Sequence, residues 1–324
     1  MTQLVQTLAD GIAVGSLYAL IALGYTLVYG ILQFINFAHS DVFTLGAWST
    51  FTVAAAAGVA VAVGGAAPPA YVGVLVLVAA MLLCGAVGFL IERLAYRPLR
   101  NAPRLNVLIT AIGVSLLLQN LGQLQLARFG GTDGRPPFSL PFGPYPNAVP
   151  PLLPAGTLVS VGGLTVTTID AAVLATAVLM MVGIQLLIFR TKVGLAMRAV
   201  SFNHRTAALM GINVDRVISF TFVLGAMLAA AAGFLYSMKY PSLKQTADTV
   251  WVLLGLKAFV AAVVGGIGNV RGAMLGGICI GVIEFLGVRY VSDQYRDVYV
   301  FSILILVLLV RPSGLLGTAS VEKV

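Results

Sequence analysis

The chain has 324 residues, 59% of them hydrophobic and only 9% charged, with a mean hydropathy of +1.00. A soluble domain carries roughly 25% charged residues, so this composition excludes a soluble globular enzyme and leaves a polytopic membrane protein. The formal charge of +8 sits in short basic loops between apolar runs, the pattern of membrane topology, which also excludes a nucleic-acid partner.

Apolar runs able to form spanning helices lie near residues 4–30, 40–62, 70–91, 105–127, 169–189, 217–238, 250–267, 273–288 and 298–310. They predict an all-α fold of about eight or nine transmembrane helices, forming one transmembrane domain over residues 1–324. The first run is too long for a cleavable signal and reads as a retained membrane segment. Nine spans with the N-terminus outside place 31–39, 92–104, 190–216, 268–272 and 311–324 on the inner side. Twelve basic residues then fall inside: Arg93, Arg97, Arg100, Arg104, Arg190, Lys192, Arg198, Arg205, Arg216, Arg271, Arg311 and Lys323. Six fall outside: Arg128, Arg135, Lys239, Lys244, Arg289 and Arg296. This bias favours an outside N-terminus and an inside C-terminus.

Polar residues inside apolar spans are costly and normally face a partner or a cavity. Asn36, His39 and Asp41 surround a break after the first run, where His39 and Asp41 read as backbone caps before a proton relay. Gln119 and Asn120 end the polar side of the fourth span. Residues 128–168 follow as an external loop rich in Gly and Pro, which excludes a long helix and fits either an outside docking partner or a lid.

The largest polar island is GLAMRAVSFNHRTAALMGINVDR, residues 194–216. Ser201 reads as the N-cap of a short helix over Phe202–Met210 and Gly211 as its left-handed C-cap. Small Ala207 and Ala208 would let another protein approach, with Phe202, Leu209, Met210 and Ile212 giving apolar contact. An ordinary basic inner loop is the competing reading.

Farther on, Lys257 lies 11 residues before Gly268 and Glu284 lies 12 residues after Gly272. At 1.5 Å per residue both sit roughly 16–18 Å from the intervening turn, so an ion pair at matching depth is expected, as a clasp between helices before a substrate role. Segments 30–48 and 264–282 both pass through a Gly/Asn-containing break, as a remnant of internal duplication would. Cys84 and Cys279 lie in apolar segments and offer neither a disulfide framework nor a metal cluster. The chain contains no phosphate loop, no H-E-x-x-H and no G-x-S-x-G, and its two histidines are far apart, so it is not read as an enzyme.

Five blocks carry a resemblance: INFAHSDVFTLGAW (35–48), ITAIGVSLLLQN (109–120), MRAVSFNHRTAALMGINVDRVISFTF (197–222), GLKAFVAAVVGGIGNVRGAMLGG (255–277) and RPSGLLG (311–317). In this order they resemble, over nearly the whole chain, the H-type permease subunit of bacterial branched-chain amino-acid ABC importers. The resemblance implies a multi-pass inner-membrane subunit that pairs with a homologous M-type permease, two cytoplasmic ABC ATPases and a periplasmic substrate-binding protein. ATP and Mg would be bound by the ATPases and no cofactor by this chain. It also assigns residues 199–212 to the ATPase-coupling helix, with Ala207 and Gly211 where the family has Ala and Gly; the candidate coupling residues are Arg198, Ala199, Phe202, Asn203, Ala207, Ala208, Gly211 and Ile212. Three positions depart from the family pattern: Asn203 or Arg205 stands where an acid is common, Ser40 where Gly is usual, and Arg271 where Pro is usual.

The expected mechanism is alternating access, with ATPase closure moving the coupling helix and rocking the spans about a cavity. Asn36, His39, Asp41, Gln119, Asn120, Lys257 and Glu284 are the candidate pathway residues. Urea and short-amide importers share the fold and are the alternative for the solute. A self-sufficient ion-coupled carrier using Lys257, Glu284 and Asp41 is the alternative of another class, and it has no need of a capped inner helix.

Overall fold

The computed structural model of the chain describes residues 2–59, 68–100, 102–129, 138–154, 156–161 and 164–317. All nine apolar runs form helices: α1 (Thr2–Leu32), α2 (His39–Ala56), α3 (Ala70–Ile91), α4 (Arg104–Gln123), α5 (Thr168–Arg190), α8 (Val214–Lys239), α9 (Thr249–Gly265), α10 (Val270–Tyr290) and α11 (Arg296–Val310). Two short helices, α6 (Lys192–Phe202) and α7 (His204–Leu209), occupy the polar island. Among the described residues six helices are long and apolar enough to cross a membrane. The other three, α2, α9 and α11, have 18, 17 and 15 residues. The protein is a polytopic helical membrane protein. The end of the second run at residues 60–62, the loop stretch 130–137 and Lys323 lie outside the described residues.

Small residues set how closely the helices approach, because packing between helices in lipid rests on van der Waals contact. Gly11 and Gly15 of α1 lie against Gly281, Val282, Gly277 and Ile278 of α10, and a Cβ on any of these four glycines would overlap the facing backbone. Gly265, Gly272 and Gly276 join α9 to α10 in the same way, and Gly46 meets Ala230 between α2 and α8. α1 and α8 run through the centre, with Leu17, Leu20, Ile21, Phe234 and Leu235 fully enclosed.

α3 does not stop at Ile91 but continues through a π-helical turn, Glu92–Tyr96, and a 3-10 turn, Arg97–Leu99. Pro98 has no N–H to give and its ring would strike the carbonyl four residues back, so the helix opens before it.

The described part of the long loop holds only short antiparallel pairs: β1 (Ala127–Phe129) with β2 (Phe138–Leu140), and β4 (Thr157–Val161) with β5 (Leu164–Thr167). A third pair, β3 (Asn147–Ala148) with β6 (Ser242–Leu243), ties the loop to the α8–α9 connection. The bundle therefore has two distinct ends. One holds this loop and residues 240–248 and 291–295. The other gathers the segment after α1, the turns after α3, the stretch around α6 and α7, the α9–α10 turn and the tail. There Asn269 Nδ2 donates to Leu316 O at 2.7 Å, and Leu315 N donates to Val264 O at 2.8 Å. This second end is the one expected, from its loops, to be inner.

Candidate functional site

At the second end three capped helix starts follow one another. Thr191 Oγ1 accepts from Gly194 N at 3.1 Å, Asn203 Oδ1 from Thr206 N at 2.9 Å, and Asn213 Oδ1 from Arg216 N at 3.0 Å. Two expectations are corrected here. The N-cap of the short helix is Asn203 in place of Ser201, and the helix covers His204–Leu209 in place of Phe202–Met210. Ser201 lies in the last turn of α6, started by Thr191, and its hydroxyl donates to Gly30 O, so it has no role left at the next helix start. Gly211 does adopt the left-handed conformation, with φ of +82°.

The caps and the bond between the His204 ring and Ile31 O, at 2.9 Å, press this segment onto the end of α1. Three large apolar side chains are left outside: Phe202, Leu209 and Met210 are 92%, 88% and 78% exposed. Ala208 and Arg205 are exposed beside them, with Arg198 in turn over the Phe189 ring. Ala207 is the opposite of what was expected. It is buried, because the turn that brings Ile212 N to Ala207 O directs it into the fold. Ala199 and Ile212 are half-buried. An exposed apolar triad thus stands on a basic, well-capped ledge.

The polar residues at membrane depth form two separate groups. In the first, α2 begins inside the bundle: His39 Nε2 bonds Ile21 O at 3.2 Å, and Ile21 lies 11 residues before the end of α1, roughly 16 Å along its axis. Capping by His39 and Asp41 is not what occurs. The cap position is Ala38, without a side-chain bond, because His39 turns to α1 and Asp41 to α4. Gln119 Nε2 donates to Asp41 Oδ1 at 2.9 Å, and Tyr96 Oη donates to Asn36 Oδ1 at 2.6 Å. Asn36, Tyr96, Asp41 and Gln119 thus make a polar seam between α2, α4 and the turn after α3. Asn120 is not in it; its amide donates to Leu116 O of its own helix and it is exposed.

The second group is centred on Lys257, whose Nζ lies 2.9 Å from Glu284 Oε1, the pair expected from depth. The sequence reading missed what surrounds it. Asp297 Oδ1 is 2.7 Å from the same Nζ, Arg296 Nε is 3.5 Å from Glu284 Oε1, and Tyr18 Oη donates to Glu284 Oε2 at 2.8 Å. These residues, with Tyr236 and Tyr240, line a cavity of about 240 Å³ toward the end that bears the long loop.

A third cluster was also missed. Glu92, wholly buried, accepts from Ser219 Oγ at 2.6 Å and pairs with Arg100, which with Arg97 pairs with Asp215. It ties the turns after α3 to the start of α8, at the end of the bundle that holds α6 and α7. Glu92 eight residues before Arg100 was its one trace in the sequence.

The family model described as "Branched-chain amino acid transport system / permease component" matches residues 7–310. The chain belongs to this permease family. It is 41% identical over 322 residues to the high-affinity branched-chain amino acid transport system permease protein BraD of Pseudomonas aeruginosa, covering 98% of this chain and 97% of the relative. To the permease LivH of Escherichia coli it is 40% identical over 330 residues, with the same coverage. A partial likeness, 28% over 132 residues and 40% of each chain, extends to the ribose import permease RbsC of Haemophilus influenzae. No solved structure matches. The resemblance read from the five sequence blocks is confirmed.

Proposed function

We propose that this chain is one of two membrane subunits of an ATP-driven importer for branched-chain amino acids. The observation that carries the reading is near-full-length similarity to permeases named for that transport. The exposed triad Phe202, Leu209 and Met210 supports a partner at the basic ledge, and this partner is one of two cytoplasmic ATPases that hold the ATP and Mg. The ledge is then cytoplasmic, the long loop periplasmic, and the chain sits in the bacterial inner membrane. That orientation agrees with the excess of Lys and Arg at the ledge end.

The remaining partners are a homologous M-type permease, completing the pathway, and a periplasmic binding protein that supplies selectivity at the loop end. ATPase closure displaces residues 192–212. Through Ser201, His204 and the end of α1 the displacement reaches the seam of Asn36, Asp41 and Gln119, and access alternates. The chain itself catalyses nothing. Proteoliposomes holding the four kinds of subunit test the solute: leucine uptake is expected, and urea uptake in its place would move the chain to an amide importer of the same fold.

A further inference from the structure

The cavity around Lys257 is more than a clasp between helices. A clasp needs one acid and one base packed together, whereas here two acids and two bases surround about 240 Å³ of space. The inner pair is already satisfied: Glu284 receives Lys257 on one oxygen and Tyr18 on the other. The outer pair is satisfied only in part. Asp297 gives one oxygen to Lys257 and leaves the other without an ion-pair partner among the described residues, and its side chain is 45% exposed. Arg296, 42% exposed, lies over the edge of the apolar wall at the Phe285 ring and meets Glu284 and Asp293 through Nε and Nη2, so that Nη1 is the nitrogen without an ion-pair contact among the described residues. Consecutive at the start of α11, these two residues present one uncommitted carboxylate oxygen and one uncommitted guanidinium nitrogen side by side at the rim. Behind them the walls turn apolar, with Leu253, Leu254 and Phe285.

We infer that this cavity is a solute-binding site for a zwitterionic amino acid with an apolar side chain. The ammonium meets Asp297, the carboxylate meets Arg296, and the side chain enters against Leu253, Leu254 and Phe285. The net charge of the four residues is zero, which suits a dipolar ligand and disfavours an ion of either sign. The volume lies below the roughly 300–1,000 Å³ of sites for drug-sized ligands and suits a single amino acid. The exposed, screened rim gives weak binding, as a transit site requires. The inference rests on the function proposed above, which makes the loop end the periplasmic side, so that the site lies where a binding protein releases its cargo.

The test melts the two permeases with their ATPases in nanodiscs, without the periplasmic binding protein, and follows uptake by the complete importer in proteoliposomes, with leucine and urea as probes. For the wild type, millimolar leucine should raise the thermal midpoint by a few degrees and urea should not. Arg296→Gln and Asp297→Asn should each abolish that rise and lower leucine uptake about tenfold; Arg296→Gln, which leaves Glu284 with Lys257 and Tyr18, should do so at a nearly unchanged midpoint without leucine, whereas Asp297→Asn takes a partner from buried Lys257 and should also melt earlier. A rim variant that keeps both the leucine shift and wild-type uptake overturns the site. So does a variant that melts earlier yet keeps the shift, since the rim is then only a clasp. Failure of the broader reading looks different: the wild-type complex itself would not import leucine.

Discussion

Lys257 Nζ lies 2.9 Å from Glu284 Oε1 across the α9–α10 contact, with both side chains almost fully enclosed. An unpaired charge at this depth is costly, so removal of one partner is worse than removal of both. Glu284→Gln should destabilise the complex by about 3 kcal/mol, read as thermal unfolding in detergent. Lys257→Gln in the same chain should restore part of it, with a coupling of about 0.5–3 kcal/mol. Additive losses would mean that Asp297 and Arg296 already take over each partner.

Glycine packing between α1 and α10 gives a second expectation. A methyl group on Gly281 would overlap Gly11 and Gly15, whereas one on Gly183 of α5 meets nothing within 4 Å. Gly281→Ala should therefore cost about 1–3 kcal/mol and lower the yield of folded protein. Gly183→Ala should be neutral or stabilising by up to about 1 kcal/mol, because a helix interior favours Ala. Size-exclusion profiles and melting of the two variants check the contrast.

Glu92 predicts a separate loss. Glu92→Gln leaves Arg100 with Asp215 alone, so the effect should fall at the lower end of the roughly 3–5 kcal/mol for a broken buried pair. Ser219→Ala, removing one hydrogen bond to the carboxylate, should cost about 1–3 kcal/mol. Equal melting of wild type and Glu92→Gln would remove this cluster from the account.

The docking ledge predicts a functional defect without a folding defect. Ala208→Arg, at an exposed position, should leave melting unchanged and lower ATP-driven uptake at least about tenfold. Ala207→Arg, at a buried neighbour, should unfold the segment and is no clean probe of docking.

Much of this was readable in the chain. Continuous apolar runs marked the nine helices, since lipid leaves the backbone no other partner than itself. Counting residues from Gly268 and Gly272 brought Lys257 and Glu284 to one depth, because two helices joined by a short turn keep a common register. Gly211 disclosed its cap because little else adopts that backbone conformation. Other features depended on distant neighbours. Asp41 and Gln119 are 78 residues apart in the chain, and nothing local directs one to the other. Ser201 and Asn203 are both good caps, and only the contact of Ser201 with Gly30 decides between them. Arg296 reads as an ordinary outer-end charge until α11 folds it, with Asp297, over the cavity.

The central claim is that an ATPase drives this bundle through the ledge around α7. Its most direct test is a single cysteine at Leu209, in a chain with Cys84 and Cys279 changed to Ala, treated with a short bifunctional cross-linker in membranes containing the whole importer. The account predicts an adduct with the ATPase subunit and loss of ATP-driven leucine uptake on cross-linking. Labelling of Leu209→Cys by an impermeant reagent from the periplasmic side, or full uptake after bulky modification at that position, would contradict it.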